Sequence, residues 1–219
     1  MDGILVVNKP RGITSHDVVD RIRRTFHIKK VGHAGTLDPI ATGVLILLLG
    51  TYTKRQIGFL NDDKAYQATM KLGLRTTTGD TDGKILKEGA DLSGIDEIRI
   101  REVFSKFCGE IEQVPPMYSA KKVNGIRLYK LARKGKELDL ESRRISIKEL
   151  VIENINLPEI KFNVRCSKGT YIRKLCQDIG EELGSGATMT TLCRTASGQF
   201  SIDQAKKLDE VKVEDLLRN

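Results

Sequence analysis

Six apolar residues in unbroken succession, Val44 to Leu49, are bounded by Gly43 and Gly50. A run of this kind reads as a strand covered on both faces, so the fold must supply material on either side of it. The chain has 219 residues, enough to bury a sizeable core in one domain of ordinary to large size or in two small ones. Directly before the run lies Gly-His-Ala-Gly-Thr-Leu-Asp-Pro-Ile-Ala-Thr-Gly, Gly32 to Gly43. Its glycines permit turns and the close approach of a ligand to the backbone, and Pro39 biases Asp38 towards an extended conformation. By itself, an Asp-Pro among glycines is a turn. The alternative is a carboxylate presented on a loop that a buried strand holds rigid, a common setting for reactive groups.

Around this centre the patterning predicts a mixed α+β chain with a central, largely antiparallel sheet flanked by helices. Ile4 to Val7 is a short strand, and Asn8-Lys9-Pro10-Arg11-Gly12 is the turn after it. Thr14 or Ser15 then caps a helix that buries Val18, Val19, Ile22 and Phe26. Arg21, Arg23 and Arg24 lie largely off that face, as solvated charges or as phosphate contacts. Thr51 to Leu60 has helical character. Lys64 to Leu72 alternates, with Tyr66, Ala68, Met70 and Leu72 facing one way. On packing grounds alone Tyr66 is a core-edge tyrosine. Thr76 to Gly83 is polar and turn-rich and reads as a surface loop.

Further on, a helix is expected from about Glu97 to Phe107, a strand over Gly109 to Val114, and a strand pair at Ile145 to Ile152 and Ile160 to Ser167. Thr170 is a plausible cap for a helix that turns Ile172, Leu175, Cys176, Ile179 and Leu183 inward, which puts Arg173 in its first turn. Leu192 and Arg194 belong to a final strand before Gly198, and Val211 to Leu217 reads as a short terminal helix.

Lysine and arginine number 37 against 29 acids, a formal charge of +8. The placement matters more than the total. Seven basic residues, Lys121, Lys122, Arg127, Lys130, Arg133, Lys134 and Lys136, fall between Pro115 and Lys136 with no acid among them. Arg127 to Lys134 reads as a basic amphipathic helix closed by Gly135. Its small apolar face favours RNA backbone over a membrane or a calmodulin-like partner. The four cysteines never form a Cys-x-x-Cys pair, which argues against structural zinc and for free buried thiols. His16, His27 and His33 have no metal-ligand spacing, and neither a phosphate-binding glycine loop nor a zinc-deaminase pattern occurs. No cofactor or metal is expected. The sequence shows no signal peptide and no apolar run long enough to span a bilayer, so a cytoplasmic protein is expected.

Gly32 to Leu45 resembles, without interruption, the signature loop of the TruB family of tRNA pseudouridine synthases. Three further blocks extend the resemblance in the family's order. They are Lys9-Pro10-Arg11-Gly12-Ile13-Thr14-Ser15; Lys64 to Gly83, where Lys-x-Tyr leads into Leu-Gly-x-x-Thr-x-Thr-x-Asp-x-x-Gly; and Ser167-Lys168-Gly169-Thr170-Tyr171-Ile172-Arg173.

The resemblance implies the pseudouridine synthase fold and a single catalytic domain over residues 1–219. Most members continue into a PUA domain that grips the acceptor end of tRNA, and none is expected in this chain. It implies an isomerase acting at position 55 in the T loop of tRNA on a flipped-out uridine. Asp38 is then the nucleophile, Arg173 its ion-pair partner, and Tyr66 the residue stacked on the target base. Leu192 packs beneath the base, Tyr171 lines the pocket, and Lys9 and Pro10 shape its floor. His33, by itself a structural loop histidine, fills the space the nucleotide vacates. Lys121, Lys122, Arg127 and Lys130 meet the RNA. The implied partner is the T-arm stem-loop, with no membrane and no obligatory protein partner, and the enzyme is expected to be a monomer.

Such a reaction breaks the bond from ribose C1′ to the base nitrogen, turns the base, and joins C1′ to a base carbon. It calls for a carboxylate kept ionised in a dry pocket. Burial alone raises a carboxylate pKa, whereas a guanidinium and a helix N-terminus oppose that rise. Two rivals differ in kind. A non-catalytic RNA-binding or tRNA-folding module explains the charge without the Asp38–Arg173 pair, and a guide-RNA-dependent relative shares the loop but needs protein partners.

Overall fold

A computed structural model describes residues 1–119, 121–123, 125–132, 134–136 and 138–218, with only the backbone of Lys122. Strand β1 (Gly3–Lys9) leads into helix α1 (Ser15–Thr25). Thr14 is the cap. Its hydroxyl accepts from the Asp17 amide while the Asp17 carboxylate accepts from the Thr14 amide. Strands β2 (Val31–Ala34) and β3 (Thr42–Leu49) follow. The single helix expected over Thr51 to Leu60 is instead a 3-10 turn, Gly50–Arg55, and helix α2 (Gln56–Asn61). Thr51 bonds the Asp2 carboxylate and the Thr53 hydroxyl bonds the Gly50 carbonyl, local bonds that compete with α-helical ones.

Strand β4 (Lys64–Leu72) buries Lys64, Ala68, Met70 and Leu72, as its alternation requires. The Lys64 ammonium closes α2 by donating to the carbonyls of Phe59 (3.2 Å) and Leu60 (2.9 Å). The chain continues through β5 (Leu74–Thr76), β6 (Ile85–Glu88), α3 (Glu97–Lys106) and β7 (Gly109–Gln113). Next come β8 (Lys122–Val123), β9 (Ile126–Arg127), α4 (Leu128–Ala132), β10 (Arg143–Asn156) and β11 (Glu159–Cys166). Helix α5 (Ile172–Glu182) and strands β12 (Ala187–Ser197), β13 (Phe200–Ser201) and β14 (Lys206–Lys207) complete the order. The terminal helix expected over Val211 to Leu217 is reduced to a 3-10 turn at Val213–Asp215, because Leu217 is drawn into a bridge with Ile4.

Two compact units are distinguished, Met1–Gln67 with Thr191–Asn219, and Ala68–Thr190. In the first, β3 pairs antiparallel with β1 and β2 and parallel with β12, and β1 pairs parallel with β14. Strand β3 is buried from Gly43 to Leu49, as its composition demands. Its inward residues Val44, Ile46 and Leu48 share a core with Ile4, Val6, Ala34 and Phe200. In the second unit, β10 pairs antiparallel with β7 and β11, and Phe104 of α3 meets Phe162 of β11 edge-on at 5.5 Å. Helix α5 buries Ile172, Leu175, Cys176 and Ile179. The α+β class stands as expected, with parallel pairings added to the antiparallel ones. The cysteines are free, but only Cys166 and Cys176 are buried. Cys193 is half-buried, and Cys108 is exposed in the turn between α3 and β7. Among the described residues no helix is long and apolar enough to cross a membrane.

Candidate active site

The signature stretch is part strand. Gly32 to Ala34 lie in β2 and Thr42 and Gly43 in β3, so the loop proper is 35–41. His33 is therefore a strand residue, not a loop histidine. It is half-buried opposite Leu47, and its carbonyl accepts from Gln56 Nε2 at 2.7 Å. The β2–β3 ladder reaches back further than the glycines suggest, because Val31 and Ala34 can pack into the core.

Asp38 is half-buried, and the backbone on both sides of it is held. The Ser15 hydroxyl accepts from the Leu37 amide (2.8 Å) and lies 3.1 Å from the Leu37 carbonyl. The Pro39 carbonyl accepts from the Gly12 amide (2.8 Å) and the Lys9 ammonium (3.4 Å), and the Asp38 carbonyl accepts from the Ala41 amide (3.0 Å). Lys9 is fully buried and also donates to the carbonyls of Ile13 (2.7 Å) and Pro10 (2.9 Å). Burial draws the Lys9 pKa down to about 8. The charge of Asp38 works against that fall and the charge of Arg194 adds to it. Lys9 thus remains a cation at neutral pH, within electrostatic reach of Asp38. Pro10 is exposed, Tyr66 is half-buried on β4, and Leu192 is buried on β12, its carbonyl accepting from the Thr42 hydroxyl at 3.4 Å.

In the second unit Arg173 occupies the first turn of α5, where the spacing predicted it, and is buried. Its guanidinium donates to the carbonyls of Thr78 and Tyr118, each at 2.8 Å, and its Nε lies 3.4 Å from Asp80 Oδ2. Asp80 is 5% exposed and also accepts from the Thr78 hydroxyl and the Asp82 amide. Thr76 to Gly83 is therefore not simply a surface loop: Thr76 and Asp80 are buried, turned inward by the arginine and by the Thr76 hydroxyl, which bonds the Asp80 carbonyl. Thr170 does not cap α5, because its hydroxyl returns to the Ser167 carbonyl. The cap position is Tyr171, half-buried, with its amide and carbonyl gripped by the buried side chain of Gln113.

Residues 23–172 match the model for the TruB family pseudouridylate synthase N-terminal domain, and residues 173–218 match the tRNA pseudouridylate synthase B C-terminal domain. The chain belongs to the TruB family. The tRNA pseudouridine synthase B of Clostridium tetani is 51% identical over 216 residues, 99% of this chain and 74% of that protein. Its counterpart in Geotalea uraniireducens is 53% identical over 211 residues, 96% of this chain and 67% of that protein. Among solved structures, a chain of a Cbf5–Nop10–Gar1 complex aligns with TM-score 0.75 and 32% identity over 95% of this chain and 53% of its own length. An H/ACA RNP bound to a substrate RNA containing 2′-deoxyuridine gives TM-score 0.71 and 30% identity, covering 95% and 51%. This chain spans about half the length of those two.

In this TruB chain the basic segment is less helical than its sequence suggests. Helix α4 covers only Leu128–Ala132, since Arg127 is taken into the β8–β9 ribbon and Leu128 is the residue that buries. Arg127 and Lys130 are exposed and Lys121 is half-buried, while the side chain of Lys122 and all of Arg133 lie outside the described residues. A cleft of about 400 Å³ is lined by Thr77, Thr78, Pro116, Tyr118, Lys136 and Lys174, among others. Two of its wall residues, Thr78 and Tyr118, are those whose carbonyls bind Arg173. Among the described residues no group of three or more His, Cys, Asp or Glu side chains is placed to hold a metal ion. Pattern reading did not single out Ser15 and Arg194 as supports of the Asp38 loop in the first unit, nor Asp80 as the partner of Arg173 in the second. The one signal for Arg194 was an arginine alternating with Leu192 on a strand.

Proposed function

We propose that this chain isomerises uridine to pseudouridine at position 55 in the T loop of tRNA, as a cytoplasmic tRNA pseudouridine synthase acting as a monomer without protein partners. The observation that carries the reading is Asp38, on a loop whose backbone is bonded at both neighbouring residues, in a chain that TruB family patterns match from residue 23 to residue 218. Family identity supports the reaction, and the held loop supports the carboxylate as its nucleophile. Identity of 51% and 53% to proteins named tRNA pseudouridine synthase B supports tRNA as the substrate.

In this reading Asp38 forms the covalent adduct through which the glycosidic bond is exchanged. The bond from C1′ to the base nitrogen breaks and C1′ joins a base carbon; that carbon gives up its proton, the freed nitrogen takes one up, and the bond to Asp38 breaks to restore the carboxylate, so the product is an isomer and no carrier is consumed. Arg173 supplies the guanidinium that this reading pairs with the carboxylate. Its fork is supported by Asp80 and two carbonyls, so little side-chain freedom remains to be lost on binding. Tyr66 stacks on the extruded uracil, returning about 1–3 kcal/mol of the unstacking cost. Leu192 supports the base from below, Tyr171 lines the pocket, Lys9 and Pro10 shape its floor, and His33 fills the vacated stack. Lys121, Lys122, Arg127 and Lys130 track the T-arm backbone.

The test is Asp38→Asn with a T stem-loop carrying tritium on the base carbon that loses its proton. Tritium release should fall below about a thousandth of the wild-type rate while stem-loop affinity stays within about threefold. Retained turnover would refute the nucleophile. Absence of turnover by the lone wild-type chain would favour the non-catalytic or guide-dependent alternatives.

A further inference from the structure

We infer that Arg194 is a positioning residue for Asp38: its guanidinium ties together the two ends of the loop that carries the carboxylate. The β2–β3 ladder stops at Ala34 opposite Ile46, so Gly35 and Val44 lie just beyond its last rung. Arg194 Nε donates to the Val44 carbonyl (2.7 Å) and Nη2 to the Gly35 carbonyl (3.1 Å), spanning the mouth of the loop with one planar fork. The backbone around it leaves little slack. Arg194 pairs in parallel register with Gly43, and a Cβ on Gly35 would stand 3.4 Å from its Nη1. Ser15 and Lys9 hold the residues on either side of Asp38, but neither joins the loop's two ends.

Arg194 is 1% exposed, and among the described residues no carboxylate forms an ion pair with it. A buried guanidinium held by carbonyl dipoles is an expensive way to fill a core, since an apolar side chain of similar size avoids the desolvation. What the apolar side chain lacks is two diverging donors. The fork therefore fits a requirement of geometry, and its charge acts on Lys9, the cation that Asp38 also faces. Arg194 acts on the reaction through the loop it closes.

This inference rests on the Asp38 reading, and it is tested with Arg194→Met, Arg194→Lys and the wild type. Single-turnover rates at saturating enzyme on a T stem-loop are read beside stem-loop affinity, and amide hydrogen exchange is followed at residues 36–42 and 44–49. For Arg194→Met the expected result is a rate about 100-fold lower, affinity within about threefold, and faster exchange at 36–42 with 44–49 unchanged. Arg194→Lys, which keeps the charge but replaces the planar fork with donors on a single nitrogen, should fall between. A wild-type rate in either variant, or unchanged exchange at 36–42, overturns the inference. Should Arg194→Met not fold, Arg194→Lys decides by the same two readings. Failure of both to fold also overturns it, because the residue is then core support. Exchange needs no turnover, so a wild type without isomerase activity sinks the functional reading separately from the clamp.

Discussion

Replacing Gly43 by alanine tests the junction on which the Asp38 loop is built. Gly43 has φ +99°, and a Cβ added there would meet the Arg194 carbonyl oxygen at 2.3 Å, its nitrogen at 2.7 Å and its carbonyl carbon at 2.9 Å. All three are backbone atoms of the strand paired with β3, so no rotamer change relieves the clash. Backbone strain at positive φ costs about 1–2 kcal/mol, and forcing an extra methyl into a packed interior costs about 1–3 kcal/mol. The sum, about 2–5 kcal/mol, is a large part of the 5–15 kcal/mol typical of whole domains. Gly89 supplies the control: its φ is +81° with nothing within 4 Å of an added methyl, so Gly89→Ala bears the strain without the clash. In urea melts at about 2 kcal/mol per molar, Gly43→Ala should lower the midpoint by about 1–2.5 M and Gly89→Ala by about 0.5–1 M. Equal midpoints for the two variants would show that the β3–β12 contact yields freely and would refute the claim of a rigid junction.

Two further outcomes follow from the buried charges. Between about pH 8 and pH 10.5 the unfolded chain holds a proton on Lys9 that the folded chain has released, so stability relative to Lys9→Met should rise with pH in that window. The full difference is about 3 kcal/mol. Paired denaturation curves at pH 7 and pH 10 check it, and a constant gap between the proteins would contradict the burial of a charged Lys9. Asp80→Asn removes the carboxylate charge that faces the buried Arg173 guanidinium, so a loss of about 3 kcal/mol is expected. Turnover should fall more than stem-loop affinity, and unchanged melting and turnover would show that Asp80 does not order Arg173.

The local elements were legible because burial leaves a period in the sequence. The continuous run of β3, the alternation of β4 and β11 and the inward face of α5 each report a layer of core, and Arg173 fell in the first turn of its helix accordingly. Asp38 was readable as a loop carboxylate because glycine and proline act on their own backbone. Burial of Asp80 was not readable, since a polar, turn-rich string looks the same whether or not an arginine from α5 reaches it. Thr170 failed as a cap for a similar reason, with Gln113 of β7 holding the Tyr171 backbone instead.

What the sequence by itself determined was where most of the strands and helices fall and that Asp38 stands on the loop before β3. The tertiary structure alone decided which polar groups hold the backbone of its loop. Arg194 bonds carbonyls 150 and 159 positions away along the chain, and Ser15 bonds one 22 away. Hydrophobic burial repeats with the geometry of each element and so marks its own sequence. A buried hydrogen bond between distant residues has no period, and its partners are chosen only when the strands that carry them are packed side by side.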